Sequence, residues 1–343
     1  MQNIYNKIIR GKKTLIAEAG VNHNGSLLIG KKLIDAAKRA GADCIKFQTY
    51  KASKLTTKNA ERFWSWDGEL KKRGTQFDSY SYLDKFDFNQ YKYLFNYCKK
   101  KNIEFQSTPF DLDSLDILEK LNVNTYKIAS CDITNYLLLK EVAKTYKPIF
   151  LSTGAATIRE IQDAVKLVSK YNKKIVIMHC ILCYPTDINN ANLKSITLLK
   201  KKFPKIPIGL SDHTLGTLAP TIATALGASV VEKHFTINKK LKKSADHWLS
   251  VNEKELKMIA NNMRNTNLSL GKEVKKTFKC ERLTRKNARR SLVANMSIRK
   301  GEKFTFENLT VKRPGTGISP KLYFKMIGRK AKKKFSYDDL IEI

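Results

Sequence analysis

The sequence predicts a (β/α)8 barrel followed by a small β-rich domain, and three observations carry that prediction. Short β-prone runs alternate with helix-compatible stretches from residue 15 to about residue 265, and the alternation repeats eight times. Nearly every run ends in polar or charged residues, which is where barrel enzymes carry their chemistry. The pattern then breaks, and from residue 288 the runs are short and rich in turns. An open doubly wound sheet is the alternative, but 19–25 (Ala19-Gly20-Val21-Asn22-His23-Asn24-Gly25) lacks the glycine spacing of a dinucleotide loop after its first strand.

In chain order, the β-prone runs are 15–17 before Glu18, 42–47 around Lys46 and before Gln48, 103–106 before Ser107-Thr108, and 125–128, which carries Lys127 and precedes Ser130. Then come 149–151 before Ser152, 175–178 before His179, 206–210 before Ser211-Asp212-His213, and 229–231 before Glu232-Lys233-His234. Amphipathic spacing predicts helices over 28–39, 88–101, 113–121, 136–146, 158–171, 193–203, 218–226 and 253–263. Residues 50–87 form a long excursion whose Phe63, Trp64, Trp66 and Tyr80 suit a lid or a dimer contact better than a plain linker. The expected division is a catalytic barrel over 1–265, a polar linker over 266–287 and a β-rich domain over 288–343. That last piece is too short to bury much core alone.

Composition sets the class. No apolar run is long enough for a membrane helix and the start lacks a signal-peptide pattern, so the expectation is a cytoplasmic protein with no membrane partner. Six scattered cysteines favour free thiols, and the Cys180-x-x-Cys183 pair has no second thiol pair beside it to make a zinc site. The net charge of +34 comes mostly from lysines spread over helix-like segments, without a nucleic-acid module. Solvated helix faces account for it, no specific nucleic-acid partner is expected, and small anionic substrates would benefit.

The strand ends gather Glu18, Lys46, Gln48, Thr108, Lys127, Ser130, Asp132, Ser152, His179, His213, Glu232 and His234 at one mouth. Burying so many polar groups without partners would cost a few kcal/mol each, so a purely structural barrel has no use for them. Lys46 and Lys127 with Thr108, Ser130, Ser152 and Ser211 suit a phosphate or a phosphate plus a carboxylate. One of the lysines could instead form a Schiff base. His213 and His234, as neutral imidazoles, suit Mn²⁺ or another divalent metal that polarises an aldehyde, while Glu18 can orient a hydroxyl or activate water. All five histidines, including His23, His179 and His247, are expected on this rim.

These stretches resemble the bacterial sialic acid synthase family, comprising N-acetylneuraminate, legionaminate and pseudaminate synthases. The resemblance rests on 16–25, Lys46-Phe47-Gln48-Thr49, Ser107-Thr108-Pro109-Phe110, Tyr126-Lys127-Ile128, Leu151-Ser152-Thr153-Gly154, 209–214 and Glu232-Lys233-His234-Phe235-Thr236. Lys312-Arg313-Pro314-Gly315 with Gly317 is similar to the signature of that family's antifreeze-like SAF domain, a β-clip fold behind a TIM barrel. The resemblance implies condensation of phosphoenolpyruvate with N-acetylmannosamine or a related N-acyl amino sugar, giving a nine-carbon 2-keto acid and phosphate. A 2,4-diacetamido-trideoxyhexose is the alternative acceptor, used by legionaminate and pseudaminate synthases.

It further implies that Lys46, Thr108, Lys127, Ser130, Ser152 and Ser211 hold phosphoenolpyruvate, that His213 and His234 bind Mn²⁺, and that Gln48, Tyr184 and Asp246 contact the sugar. Glu18 is then the principal acid/base candidate, with Asp132, His213 and His234 as the other catalytic candidates. Family members are domain-swapped homodimers, which would bring Arg313 to the other subunit's sugar. The chain departs from the family in four places: Asp132 replaces the usual Glu, Leu182 a polar pair before Tyr-Pro, Ser244-Ala245 a Gly-Pro, and Arg289-Arg290 a region that can carry Phe. Retention of Asp246-His247 points away from the pseudaminate branch.

Overall fold

The computed structural model describes residues 3–65 and 74–342. Two compact units are present, 1–271 and 272–343. The first holds eight parallel strands: β1 (Thr14–Gly20), β2 (Cys44–Thr49), β3 (Glu104–Pro109), β4 (Tyr126–Ile128), β5 (Ile149–Ser152), β6 (Ile175–Cys180), β7 (Ile208–Asp212) and β8 (Val230–His234). They pair in sequence order and close into a barrel as β8 meets β1, so the expected architecture is the observed one.

The helices are α1 (Ile4–Ile9), α2 (Leu27–Ala40), α3 (Ala52–Leu55), α4 (Gln76–Leu83), α5 (Phe88–Lys101), α6 (Leu112–Leu121) and α7 (Tyr136–Lys144). They continue with α8 (Ile158–Ser169), α9 (Ser195–Lys202), α10 (Leu218–Ala225) and α11 (Glu253–Leu270). Local chemistry sets many of the boundaries. Capping boxes open α5 at Asp87 and Gln90, α8 at Thr157 and Glu160, and α11 at Asn252 and Glu255, while left-handed Asn102 and Asn122 close α5 and α6. With no proline or left-handed residue before Gly271, α11 runs on to Leu270, past the expected end at Met263.

Strand alternation divides the barrel into an apolar jacket and a graded interior. Outward residues such as Leu15, Ile45, Phe105, Ile149, Ile177 and Val231 pack under the helices in one continuous core. Inward residues at the lower level, Ile16, Cys44, Phe150, Val176 and Val230, meet Ile4 and Ile8 of α1. Two residues further along β1, β2, β5 and β8 the same inward rows read Glu18, Lys46, Ser152 and Glu232. A helix too short for periodicity to reveal thus plugs the floor, and the polar set faces the opposite mouth.

The second unit contains α12 (Arg282–Ala288), the antiparallel pair β9 (Ser291–Ala294) and β10 (Leu309–Lys312), and α13 (Tyr323–Met326) around a separate core of Leu292, Ile298, Phe304, Leu309, Phe335 and Ile341. All of α12 but Ala288 falls inside the stretch expected to be linker.

Candidate active site

The mouth opens into a cavity of about 1060 Å³ lined by Glu18, Lys46, Gln48, Thr108, Lys127, Ser130, Ser152, Tyr184, Ser211, His213, Glu232, His234 and Asp246. At its base lie two ammonium groups and two carboxylates. Lys46 Nζ is 2.9 Å from Glu18 Oε2 and 3.8 Å from Glu232 Oε1, and Lys127 Nζ is 3.5 Å from Glu232 Oε1. Lys46 also donates to Thr108 Oγ1 at 3.2 Å, Gln48 Nε2 to Glu18 Oε1 at 3.1 Å, and Ser211 Oγ to Glu232 Oε1 at 2.9 Å. Glu232 therefore ties the lysine pair to Ser211, a linking role that the spacing of the motifs did not expose.

Burial and neighbours set the charges. Burial pushes Glu18 up to about 7, Lys46 partly offsets this, and Glu232 adds to the rise. Burial would lower Lys46, yet Glu18 and Glu232 hold it above its ordinary value. Lys127 is lowered by burial, only partly countered by Glu232. Burial would raise Glu232, but Lys127 and Lys46 bring it below the usual carboxylate range.

Hydroxyls complete the cradle. Ser130 Oγ accepts from Gly154 N at 2.9 Å, and a Cβ at residue 154 would lie 2.8 Å from that oxygen, so only glycine lets the β5 loop approach this closely. Ser152 Oγ is buried and has no hydrogen-bond partner in the protein, as expected of a group kept for a ligand.

Above this base stand His213 and His234, with ring centroids 5.5 Å apart. His213 Nδ1 lies 2.7 Å from the Ile181 carbonyl; a carbonyl only accepts, so Nδ1 carries a proton and Nε2 is the nitrogen left for a ligand, while burial would lower the ring but Cys180 and the Ile181 carbonyl hold it above its ordinary value. Burial, then His213 and Lys46, hold His234 well below its ordinary range, so its ring is neutral. His234 Nδ1 is buried without a hydrogen bond and sits 3.6 Å from Asp246 Oδ2. Burial pushes Asp246 up to about 6 against the pull of His213 and Lys46. Tyr184 covers His213 at 4.0 Å between ring centroids.

Two expectations are corrected. Three of the five histidines have structural roles: His179 Nε2 lies 2.9 Å from the Ala191 carbonyl, His23 stacks on Phe86 at 4.0 Å, and His247 bridges Thr236 Oγ1 and Asn24 Oδ1. Only His213 and His234 line the cavity. Asp132 does not line it either. A short 3-10 turn after β4 presents Cys131 instead, and the Asp132 carboxylate accepts from Asn135 Nδ2 at 3.0 Å.

The aromatic excursion contributes a wall of Phe63, Trp64, Tyr80 and Tyr82, with Tyr50 edge-on to Tyr80 at 5.6 Å; Trp66 lies outside the described residues. Lys242 and Lys243 also line the cavity, with Lys243 Nζ 5.5 Å from the Tyr82 ring. Arg313 belongs to the second unit, where Ser291 Oγ donates to the Pro314 carbonyl at 2.7 Å and accepts from Gly317 N at 2.8 Å, fixing the loop that carries it.

The model of the NeuB family matches residues 33–275, and that of the SAF domain matches 289–342. The chain belongs to the NeuB family. It is a phosphoenolpyruvate-dependent sugar-acid synthase with a C-terminal SAF domain, related to the legionaminate, pseudaminate and sialic acid synthases, as its motifs led us to expect. It is 42% identical to an N,N'-diacetyllegionaminic acid synthase of Campylobacter jejuni, over 96% of this chain and 99% of that one. It is 38% identical to a protein of the same name from Legionella pneumophila, over 92% and 89%. A solved N-acetylneuraminic acid synthetase from Leptospira borgpetersenii superposes with a TM-score of 0.70 at 35% identity, covering 80% of this chain and 90% of that one. Among the described residues no helix is long and apolar enough to cross a membrane.

Proposed function

We propose that the chain condenses phosphoenolpyruvate with the open-chain aldehyde of a 2,4-diacetamido-trideoxyhexose, releasing phosphate and a nine-carbon 2-keto acid of the legionaminic type. N-acetylmannosamine, the acceptor that the motif resemblance puts first, is the less favoured of the two. Two relatives at 42% and 38% identity are named N,N'-diacetyllegionaminic acid synthases, and this chain keeps the Asp246-His247 pair.

The observation that carries this reading is the buried Lys46, Lys127, Glu18 and Glu232 cluster directly beneath two imidazoles. Lys46 and Lys127, with Thr108, Ser130, Ser152 and Ser211, bind the phosphate and carboxylate of phosphoenolpyruvate. Lys46 is held protonated by Glu18 and Glu232, which favours anion binding over a Schiff base at that residue. Gln48, Tyr184 and Asp246 position the sugar. The bond forms between C3 of phosphoenolpyruvate and the aldehyde carbon; water then adds at C2, and phosphate leaves with cleavage of its C–O bond. Glu18, poised near 7, is the group that takes a proton from that water.

His213 and His234 fit a divalent ion such as Mn²⁺. The orphaned Nδ1 of His234, on a neutral ring, and the Nε2 of His213, across its ring from the carbonyl-bound Nδ1, are nitrogen donors on neighbouring rings. No group of three or more His, Cys, Asp or Glu that could hold a metal occurs among the described residues, so the remaining positions would fall to water or substrate. Such an ion, when bound, supplies Lewis-acid polarisation of the aldehyde. In the domain-swapped homodimer that the family resemblance implies, Arg313 of one subunit reaches the sugar bound by the other.

Phosphate release over a panel of N-acetylmannosamine and 2,4-diacetamido sugars, with mass analysis of the product, tests the assignment. Release that needs phosphoenolpyruvate and is fastest with a 2,4-diacetamido sugar supports it; no release with any sugar defeats it. Mixing Arg313→Ala with His234→Ala protein should restore part of the turnover if Arg313 acts across subunits.

A further inference from the structure

We propose that Asp212 and Lys233 form a positioning clamp that sets the separation of the two imidazoles, and so controls divalent-ion affinity without touching the ion or the substrates. The proposal rests on the metal-binding reading above. On β7 and β8 the inward residues are Ser211 and Glu232, with His213 and His234 next inward, and the residues between them, Asp212 and Lys233, point the other way. That outward direction leads into the apolar jacket under the helices, and there these two charged residues are buried, Lys233 at 1% and Asp212 at 4% exposure.

Lys233 Nζ lies 2.6 Å from Asp212 Oδ2 and also donates to the Thr214 carbonyl. Asp212 in turn accepts from Thr214 N at 3.0 Å on Oδ1 and from Thr214 Oγ1 at 3.1 Å on Oδ2. One ammonium on β8 therefore grips both residues that flank His213, while its own backbone leads directly into His234. The strands are in register there, Asp212 opposite Lys233 and Ser211 opposite Glu232. One step below the clamp the inward Ser211–Glu232 hydrogen bond ties the same two strands independently, so loss of the outward pair would loosen the ends that carry His213 and His234 while the cradle keeps its own link. His213 is held a second time where Thr186 N donates to its carbonyl at 2.9 Å.

A buried ion pair can also be merely structural. The two roles separate because removing both charges of such a pair tends to be close to neutral for stability, whereas removing one strands the other. The test uses the full-length Asp212→Asn/Lys233→Met double variant and the milder Thr214→Val, which removes one of the Asp212 contacts. Binding of Mn²⁺ would be measured by the paramagnetic resonance of free ion, and phosphoenolpyruvate affinity in metal-free protein by calorimetry.

The clamp predicts Mn²⁺ affinity lower by about tenfold or more in the double variant and by a smaller factor in Thr214→Val, as for groups that orient metal ligands from behind. Phosphoenolpyruvate affinity should stay within about twofold, because its cradle does not include the clamp. Wild-type Mn²⁺ affinity in the folded double variant overturns the proposal. If that variant does not fold, wild-type affinity in Thr214→Val overturns it, as does a parallel loss of phosphoenolpyruvate affinity, which would mark a general structural role. A wild-type protein that binds no divalent ion overturns the metal site as well as the clamp, and phosphate release then decides separately whether the synthase reading stands.

Discussion

The two ends of the barrel each bury a glutamate that the protein environment pushes up to about 7, and they use it in opposite ways. At the floor, Glu104 accepts from Ile4 N at 2.6 Å and from Thr125 Oγ1 at 2.8 Å, and Ile4 and Ile8 fill the space beneath an apolar layer. At the mouth, Glu18 lies 2.9 Å from Lys46 beside a large open cavity. Burial is the leading cause of both shifts. What differs is the company: at the floor the hydrogen bonds from Ile4 and Thr125 and a hydrocarbon plug fix a shape, whereas at the mouth a directly paired ammonium lines a cavity where one anion can replace another. A shifted carboxyl is therefore evidence of function only when a cavity and an ionic partner come with it.

The largest way to break the contrast is Lys46→Met. Glu18 and Glu232 would then lose the counter-ion they share, and the phosphoenolpyruvate cradle would lose a cation. Turnover should fall by about a thousandfold or more, read as phosphate release, with a loss of stability of about 3 kcal/mol from the uncompensated carboxylates. Next comes Glu18→Gln. If Glu18 acts as the base, kcat/KM in the wild type rises as pH climbs through about 7, where its carboxyl ionises. The amide should lower turnover by about a hundredfold or more and abolish that limb of the profile. A variant that keeps the limb would assign it to another group.

The mouth was largely legible in the sequence and the floor was not, for physical reasons. Strand ends such as Lys46-Phe47-Gln48 and Ser211-Asp212-His213 place polar residues after β-branched or apolar runs, a pattern with no structural use, so it stands out. Helix α1 has only six residues, fewer than two turns, and its Ile4 and Ile8 give no periodicity to read. His23, His179 and His247 looked like site residues because imidazole is equally at home in a hydrogen-bonded core, and only partners such as Phe86, Ala191 and Asn24 tell the two uses apart. Glu232 went the other way. It was one polar residue among many until its distances to Ser211, Lys127 and Lys46 made it the junction of the cluster. The direction of Asp132 depends on a 3-10 turn that residue types do not specify.

At the floor, effects should be smaller and confined to stability. Ile4→Ala removes a fully buried side chain that meets Phe150, Val176 and Val230, and should cost about 2–4 kcal/mol in denaturant unfolding. Phosphoenolpyruvate affinity should hardly change, since the plug and the cradle lie at different levels of the barrel. A marked loss of affinity would mean that the two ends communicate through the interior layers.

The smallest expected effect, and the sharpest on the comparison itself, is Glu104→Gln. In the folded protein Glu104 keeps its proton up to about 7, against 4.5 for an ordinary glutamate. Its contribution is therefore fully present below pH 4.5, where both states are protonated, and declines as pH rises from there to about 7, where the unfolded chain gives up its proton and the native protein still holds it. Integrated over that window the loss is about 3 kcal/mol. Glutamine mimics the protonated acid: its oxygen can accept from Ile4 N and its amide can donate to Thr125 Oγ1. The variant should thus match the wild type near pH 4 and exceed it by about 3 kcal/mol at pH 8, with phosphate release unchanged. Equal pH dependence in the two proteins would mean that Glu104 ionises at the floor with no penalty, and the floor would then have to admit water or a counter-ion, as the mouth does.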